Sequence, residues 1–245
     1  MKNHFKKFLN IKNSTTEQVD FYIYGDIVPD SDWKWDESET MPNDIKNLLD
    51  EHKGKTINLY VNSGGGSVFA GLAMYNMLKR HDGEVIAYVD GLAGSIASVI
   101  IMAADRIIIP KNAYLMIHKA WTWAVGNAND LRKQAEDLDR IDEGIFNTYK
   151  ENLKEGVNEE TIKQMIENET WLTGEQAAEY FSIETSNSLE AVACASDFYQ
   201  NYKFIPSQLV NNSEQRVGSE ERQKVENSLQ NESEIENLLL EIDLI

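Results

Sequence analysis

Apolar and polar residues alternate through Val19-Asp-Phe-Tyr-Ile-Tyr-Gly-Asp-Ile27, which is the period of a half-buried strand. The folded core is predicted to begin there. Residues 1–18 are polar and basic and read as a flexible N-terminal arm. Pro29-Asp-Ser-Asp-Trp33 reads as a turn, and Pro42-Asn-Asp44 opens a helix in which Ile45, Leu48 and Leu49 recur at helical spacing. Residues 56–61 then give a strand, 67–80 a helix, 84–89 a strand and 95–104 an apolar helix. Short strands follow at 107–109, stopped by Pro110, and at 114–118. This alternation predicts an α/β fold with right-handed βαβ crossovers and a mainly parallel sheet covered by helices. Ligands in such folds sit at the carboxyl ends of the strands.

A long helix is predicted over 127–153, with Asn127 or Asn129 as cap and Asp130 in the first turn. Its apolar stripe is Leu131, Leu138, Ile141, Ile145 and Tyr149, and Arg132, Lys133, Glu136 and Arg140 lie on the opposite side. Glu159–Glu167 is a further helix, and Thr173 caps another that runs to Tyr180. Beyond Leu189 the character changes. Residues 191–202 suggest a short amphipathic element, and 206–236 are rich in Asn, Ser, Gln and Glu, too poor in large apolar residues to offset the entropy of ordering. Residues 235–245 recover Leu and Ile at near-helical spacing. The organisation read from the chain is an arm (1–18), one domain (19–189) and an acidic, partly disordered extension (190–245).

With 245 residues, 42% of them hydrophobic, the chain can bury one substantial core. A single cysteine, Cys194, excludes an internal disulfide and a zinc site built on cysteines, and fits a reducing cytoplasm. The formal net charge of -18 repels phosphate backbones and anionic headgroups, so neither nucleic acid nor a membrane surface is expected as a partner. No run approaches the roughly 20 apolar residues of a membrane span. The basic cluster Lys2, Lys6, Lys7 and Lys12 is not followed by a signal-peptide core.

Candidate chemistry concentrates at residues 85–98, VIAYVDGLAGSIAS. An apolar strand pattern breaks at a glycine and delivers Ser95 at the start of an apolar helix, where the first amides lack intrahelical partners. Such a serine suits a nucleophile, and it needs a base within hydrogen-bond reach. His118, one of four histidines, stands at a strand end and fits that base; the alternative is a core histidine satisfied by backbone. His4 lies in the arm, and His52 and His81 follow helices. The loop Asn62-Ser-Gly-Gly-Gly-Ser67 is either a tight turn needing positive φ or a source of main-chain donors for an oxyanion. It lacks the Lys-Ser/Thr and the glycine spacing of a phosphate-binding loop. Several acids could orient His118, and spacing does not choose among them.

Four stretches carry a resemblance: Asn62-Ser-Gly-Gly-Gly-Ser-Val-Phe-Ala-Gly71, Gly91-Leu-Ala-Gly-Ser-Ile-Ala-Ser98, Met116-Ile-His-Lys119 and Glu169-Thr-Trp-Leu-Thr-Gly-Glu-Gln-Ala-Ala-Glu-Tyr180. In order and spacing they resemble the ClpP-type serine endopeptidases (family S14), and within these the head-maturation proteases of tailed phages and prophages. The resemblance covers roughly residues 19–185. It implies a ClpP/crotonase-like βαβ superhelical fold in which Ser95 is the nucleophile, His118 the general base and then acid, and the amides of Gly66 and Ile96 the oxyanion hole. Glu169 stands where the family commonly has Asp, one methylene longer, with Glu167 or a water as alternatives. Gly65, Ser67, Val68, Lys119 and Trp121 would bind a peptide added as a strand between the Gly-rich segment and the segment after His118. Trp121 and Trp123 otherwise read as packing or subunit contacts. Gly64 replaces a frequent proline, which implies a more mobile loop. The helix from Asn127 resembles the family's handle, which mediates contact between rings.

The same resemblance implies no metal and no cofactor. It implies a homo-oligomeric ring acting on polypeptides, scaffold and capsid proteins among them, without an ATPase and in the host cytoplasm. Two other readings stand beside it. A crotonase-like acyl-CoA enzyme would use the two amides for an enolate, although Ser95 and His118 argue against it. A non-catalytic ring-forming scaffold would use the extension to recruit a partner.

Overall fold

Three parallel strands form the centre of the sheet: β2 (Gln18–Tyr24), β3 (Thr56–Ser63) and β4 (Val85–Gly94). The computed structural model describes residues 11–187 together with Tyr202, Lys203 and Ile205. Residues 1–10 of the arm and the elements expected at 191–202, 206–236 and 235–245 lie outside the described residues, apart from those three. The chain divides into two units, Met1–Phe204 and Ile205–Ile245.

The period-2 pattern explains the sheet. Val19, Phe21 and Ile23, then Ile57, Leu59 and Val61, then Val85, Ala87 and Val89 are all buried on one face. Each contributes roughly 1.5–3 kcal/mol on leaving water when large. The opposite face carries Tyr22, Tyr60 and Tyr88 in register, their rings stacked 4.8 and 5.0 Å apart, and a buried Asn58 amide that donates to Asp20 at 2.8 Å. The apolar face is packed by α1 (Pro42–Glu51) through Ile45 and Leu48, by α2 (Val68–Lys79) through Met74 and Leu78, and by the wholly buried α3 (Ile96–Ile101). The predicted Pro42 start is met, and the Met41 amide donates to Asp44.

Four elements differ from the sequence expectations. Residues Ile11–Ser14, assigned to the arm, form β1, which pairs antiparallel with the otherwise open edge of β2. β4 does not stop at Val89 but runs to Gly94. Its register against β3 steps from Val61↔Val89 to Ser63↔Ala93, a bulge of the kind that re-aims a strand end. The buried Asn62 side chain accepts from the displaced Leu92 amide at 3.1 Å. Before the bulge β4 pairs with β5 (Arg106–Pro110), and beyond it with β6 (Tyr114–Ile117). Finally, β7 (Thr170–Thr173) and β8 (Glu184–Ser186) join the sheet, β7 antiparallel to β6 and β8 parallel to β5. Both are too short to show a period.

Helix α4 (Ala128–Lys150) is capped by Asn127, whose side chain accepts from the Asn129 and Asp130 amides. Only its last turns are buried, at Ile145, Phe146, Thr148 and Tyr149. Leu131 at the other end of the expected stripe is exposed, so the first half of α4 projects from the domain. Helices α5 (Glu159–Glu167) and α6 (Gly174–Tyr180) match their predicted spans. Thr173 forms a reciprocal cap with Gln176.

Candidate active site

The bulge in β4 decides where Ser95 goes. Once β4 has switched partners, Gly94 lies beside Met116, and the Ser95 amide donates to the Met116 carbonyl at 2.9 Å. The chain then turns sharply into α3, leaving Ser95 at φ 53, ψ -128. This conformation costs a non-glycine residue about 1–3 kcal/mol and persists only where the surroundings enforce it. Here the Ser95 carbonyl accepts from the Ser98 amide at 3.0 Å and from Ser98 Oγ at 2.5 Å. Ser98 Oγ also lies 2.7 Å from the hydroxyl of Tyr149, which is fully enclosed at the end of α4. Burial raises the Tyr149 pKa far above the ordinary 10, so the phenol stays neutral and available for this bond. Ser98 and Tyr149 were not singled out from sequence. Tyr149 was legible only as a stripe residue.

His118 follows β6, and its Nε2 lies 2.7 Å from Ser95 Oγ. The two side chains share a surface, as the sequence required. Register brings a carboxylate up to the imidazole: β6 and β7 pair Ile117 with Thr170, so one further residue on each strand sets His118 opposite Glu169. Glu169 has φ 51, and among the described residues only it and Ser95 are non-glycines at positive φ. Burial lowers the His118 pKa below 6.5, the negative charge of Glu169 opposes that shift, and the positive charge of Lys203 adds to it. Glu167 is exposed on the last turn of α5.

The Gly-rich loop crosses beside this pair. Gly65 and Gly66 have φ values of 110 and 143, which L side chains rarely adopt. A Cβ on Gly65 would lie 2.7 Å from Ser95 Cβ. Gly66 bridges to Ile27, which donates to the Gly65 carbonyl at 2.7 Å and accepts from the Ser67 amide at 2.8 Å. That pattern leaves the Gly66 N–H pointing away from Ile27. Ile96 is the first residue of α3, so its N–H has no intrahelical acceptor. The Ile96 nitrogen lies beside Gly65 at the serine's turn, and Gly66 lines the same cleft as Ser95.

Ser95 and His118 open onto a cleft of about 390 Å³, walled by Ile27, Val28, Gly66, Ser67 and Val68 on one side and by Ala120, Trp121 and Trp123 on the other, with Trp33 also in its lining. A narrow apolar recess beneath Ser95 is lined by Val68, Ile96, Val99, Ile145 and Tyr149. Ser67, Val68 and Trp121 thus reach the cleft as expected, and Gly65 abuts Ser95 from behind the lining. Lys119 does not reach it. Its ammonium turns to Asp142 on α4, 3.9 Å away, while Asp142 also accepts from the Ala120 amide at 2.8 Å. Burial raises the Asp142 pKa, and the Ala120 and Lys119 contacts oppose that. Of the other histidines, His81 bonds the Lys55 carbonyl and His52 caps α1.

The Clp protease family model matches residues 20–185. The chain belongs to the Clp protease family. It is 29% identical over 134 residues to an ATP-dependent Clp protease proteolytic subunit of Bacteroides fragilis, covering 54% of this chain and 63% of the relative. It is 34% identical over 141 residues to proteolytic subunit 1 of Streptomyces avermitilis, covering 56% and 64%. With proteolytic subunit 1 of Protochlamydia amoebophila the identity is 31% over 144 residues, covering 57% and 69%. The chain spans a little under two thirds of the length of the first two relatives. Tyr202 and Lys203, which approach His118, lie outside the residues matched by the family model.

Proposed function

We propose that this chain is a serine endopeptidase acting through an acyl-enzyme, with Ser95, His118 and Glu169 as its catalytic group. The observation that carries the reading is the 2.7 Å contact between Ser95 Oγ and His118 Nε2 at the floor of a peptide-sized cleft. In the reaction, His118 takes the Ser95 proton as Oγ attacks the scissile carbonyl. The developing oxyanion is held by the Gly66 and Ile96 amides. Collapse expels the amine, protonated by His118, and a water activated by the same imidazole hydrolyses the ester. Glu169 stabilises the imidazolium formed in each half. The direct test is covalent labelling of purified protein with a fluorophosphonate; a chain that is not labelled and does not cleave an unfolded polypeptide would end this reading.

The pH dependence follows from the burial of His118. The base must be neutral, so kcat/KM should rise with pH and level off, with a midpoint below 6.5 because the folded pKa is lowered. Glu169→Gln removes the charge that opposes the lowering. Its midpoint should move further down while the plateau rate falls. A pH–rate profile with its midpoint above 6.5 in the parent would contradict the electrostatics.

The finer reading is a homo-oligomeric ring that processes scaffold and capsid-associated proteins during phage head assembly, in the bacterial cytoplasm and without an ATPase. The projecting half of α4, with Leu131 exposed, supports assembly through that helix, and the sequence resemblance supports the phage setting. The names of the similar subunits favour a second reading, in which an ATP-driven partner feeds the cleft. Size-exclusion chromatography with light scattering should give a mass several times that of the monomer. Cleavage of scaffold protein by the purified chain without ATP would favour the first reading, and cleavage only with an added unfoldase the second.

A further inference from the structure

Among the described residues beyond 187, Tyr202 packs its ring against His118 of the catalytic pair. Its ring meets the His118 ring edge-on, with centroids 5.3 Å apart, and meets Trp171 of β7 in the same manner at 5.9 Å. Its hydroxyl donates to the Gly64 carbonyl. The side chain is buried, at 9% exposure, at the end of the stretch read from sequence as a short amphipathic element. The cleft in front of Ser95 is lined by other residues, on the segments around Gly66 and Trp121.

We propose that Tyr202 is a positioning residue, through which the C-terminal segment fixes the His118 ring and the Gly64–Gly66 loop in their working geometry. Two parts of the site gain from such a brace. Three consecutive glycines lose more conformational freedom on ordering than any other tripeptide, and the Gly66 amide must be held where the oxyanion forms. An imidazole at a strand end, only partly buried, can turn about χ1 and χ2 unless packed on both sides. One tyrosine meets both needs, because its ring borders the imidazole and its hydroxyl ends on the loop. Misplacing a catalytic group by about 1 Å costs on the order of 100-fold in rate.

The inference rests on the peptidase reading, and the experiment separates the two. Ester or small-peptide hydrolysis is measured for the full chain, Tyr202→Phe and Tyr202→Ala, with Ser95→Ala as blank and thermal melting as the folding control. Tyr202→Ala should lower kcat about 10- to 100-fold with KM little changed, and slow fluorophosphonate labelling in proportion. It should also raise the acid midpoint of kcat/KM, since water then reaches an imidazole whose other charged neighbours, Glu169 and Lys203, remain. Tyr202→Phe keeps the ring, so the midpoint should stay and only the part of the rate owed to the Gly64 bond should be lost. If the alanine variant melts far below the parent, Tyr202→Leu and Tyr202→Phe carry the test, the leucine shifting the midpoint and the phenylalanine not. A kcat and pH profile equal to the parent in the folded variants would overturn the inference while leaving the peptidase reading intact. Hydrolysis that survives Ser95→Ala would instead strike the peptidase reading.

Discussion

Ser95→Ala should reduce peptide hydrolysis by about 10⁵- to 10⁶-fold, to the background of the assay, and abolish labelling by a fluorophosphonate. The size follows from the arrangement. Without Oγ there is no acyl-enzyme, and what remains is water attacking a carbonyl held by two amides. The fold should survive. Ser95 Oγ touches His118, whereas the strained turn is held by main-chain and Ser98 bonds that alanine leaves in place. Stability should therefore change by less than about 1 kcal/mol, and the variant should still bind an unfolded polypeptide. Undiminished cleavage, or labelling at another residue, would remove Ser95 from its role.

Gly66→Ala should be the next most damaging substitution, lowering kcat by about 10²- to 10³-fold. A Cβ there would sit 2.2 Å from the Ile27 carbonyl oxygen and 2.8 Å from its nitrogen. Those are main-chain atoms already bonded to Gly65 and Ser67, so they cannot swing aside as a side chain would. The loop has to retreat, and with it the Gly66 N–H proposed to hold the oxyanion. The φ of 143 adds strain on its own account. Gly144→Ala is the control, because a Cβ on that exposed position of α4 meets nothing within 4 Å and alanine favours a helix. Its activity should match the parent. A Gly66→Ala variant with parental kcat would show that this amide does not hold the oxyanion.

Several features were legible because they repeat. The strands at 56–61 and 84–89, the capped helix from Asn127 and the helix from Pro42 each rest on a local period or cap, and each appears where it is expected, with only the carboxyl end of β4 running well past its expected bound. The short pieces were not legible. β7 and β8 have four and three residues, below the length at which alternation can be distinguished from chance. β1 takes its order from the edge of β2. Lys119 reads as a groove residue through the family resemblance, whereas its ammonium lies 3.9 Å from the carboxylate of Asp142, remote in sequence. Tyr202 stood out only as the end of a short amphipathic stretch, since its contacts are with two rings and a carbonyl that only folding assembles.

By itself the chain specified an alternating α/β architecture, a serine at a strand-to-helix turn, a histidine at a strand end and a glycine run between strand and helix, because periodicity, caps and glycine content are local properties. The tertiary structure decided that these meet. The bulge after Val89 carries β4 from β5 to β6, and the antiparallel β6–β7 register sets His118 opposite Glu169. Both are pairings between distant segments, and the energy that selects them lies in main-chain bonds and buried contacts that no single stretch of sequence contains.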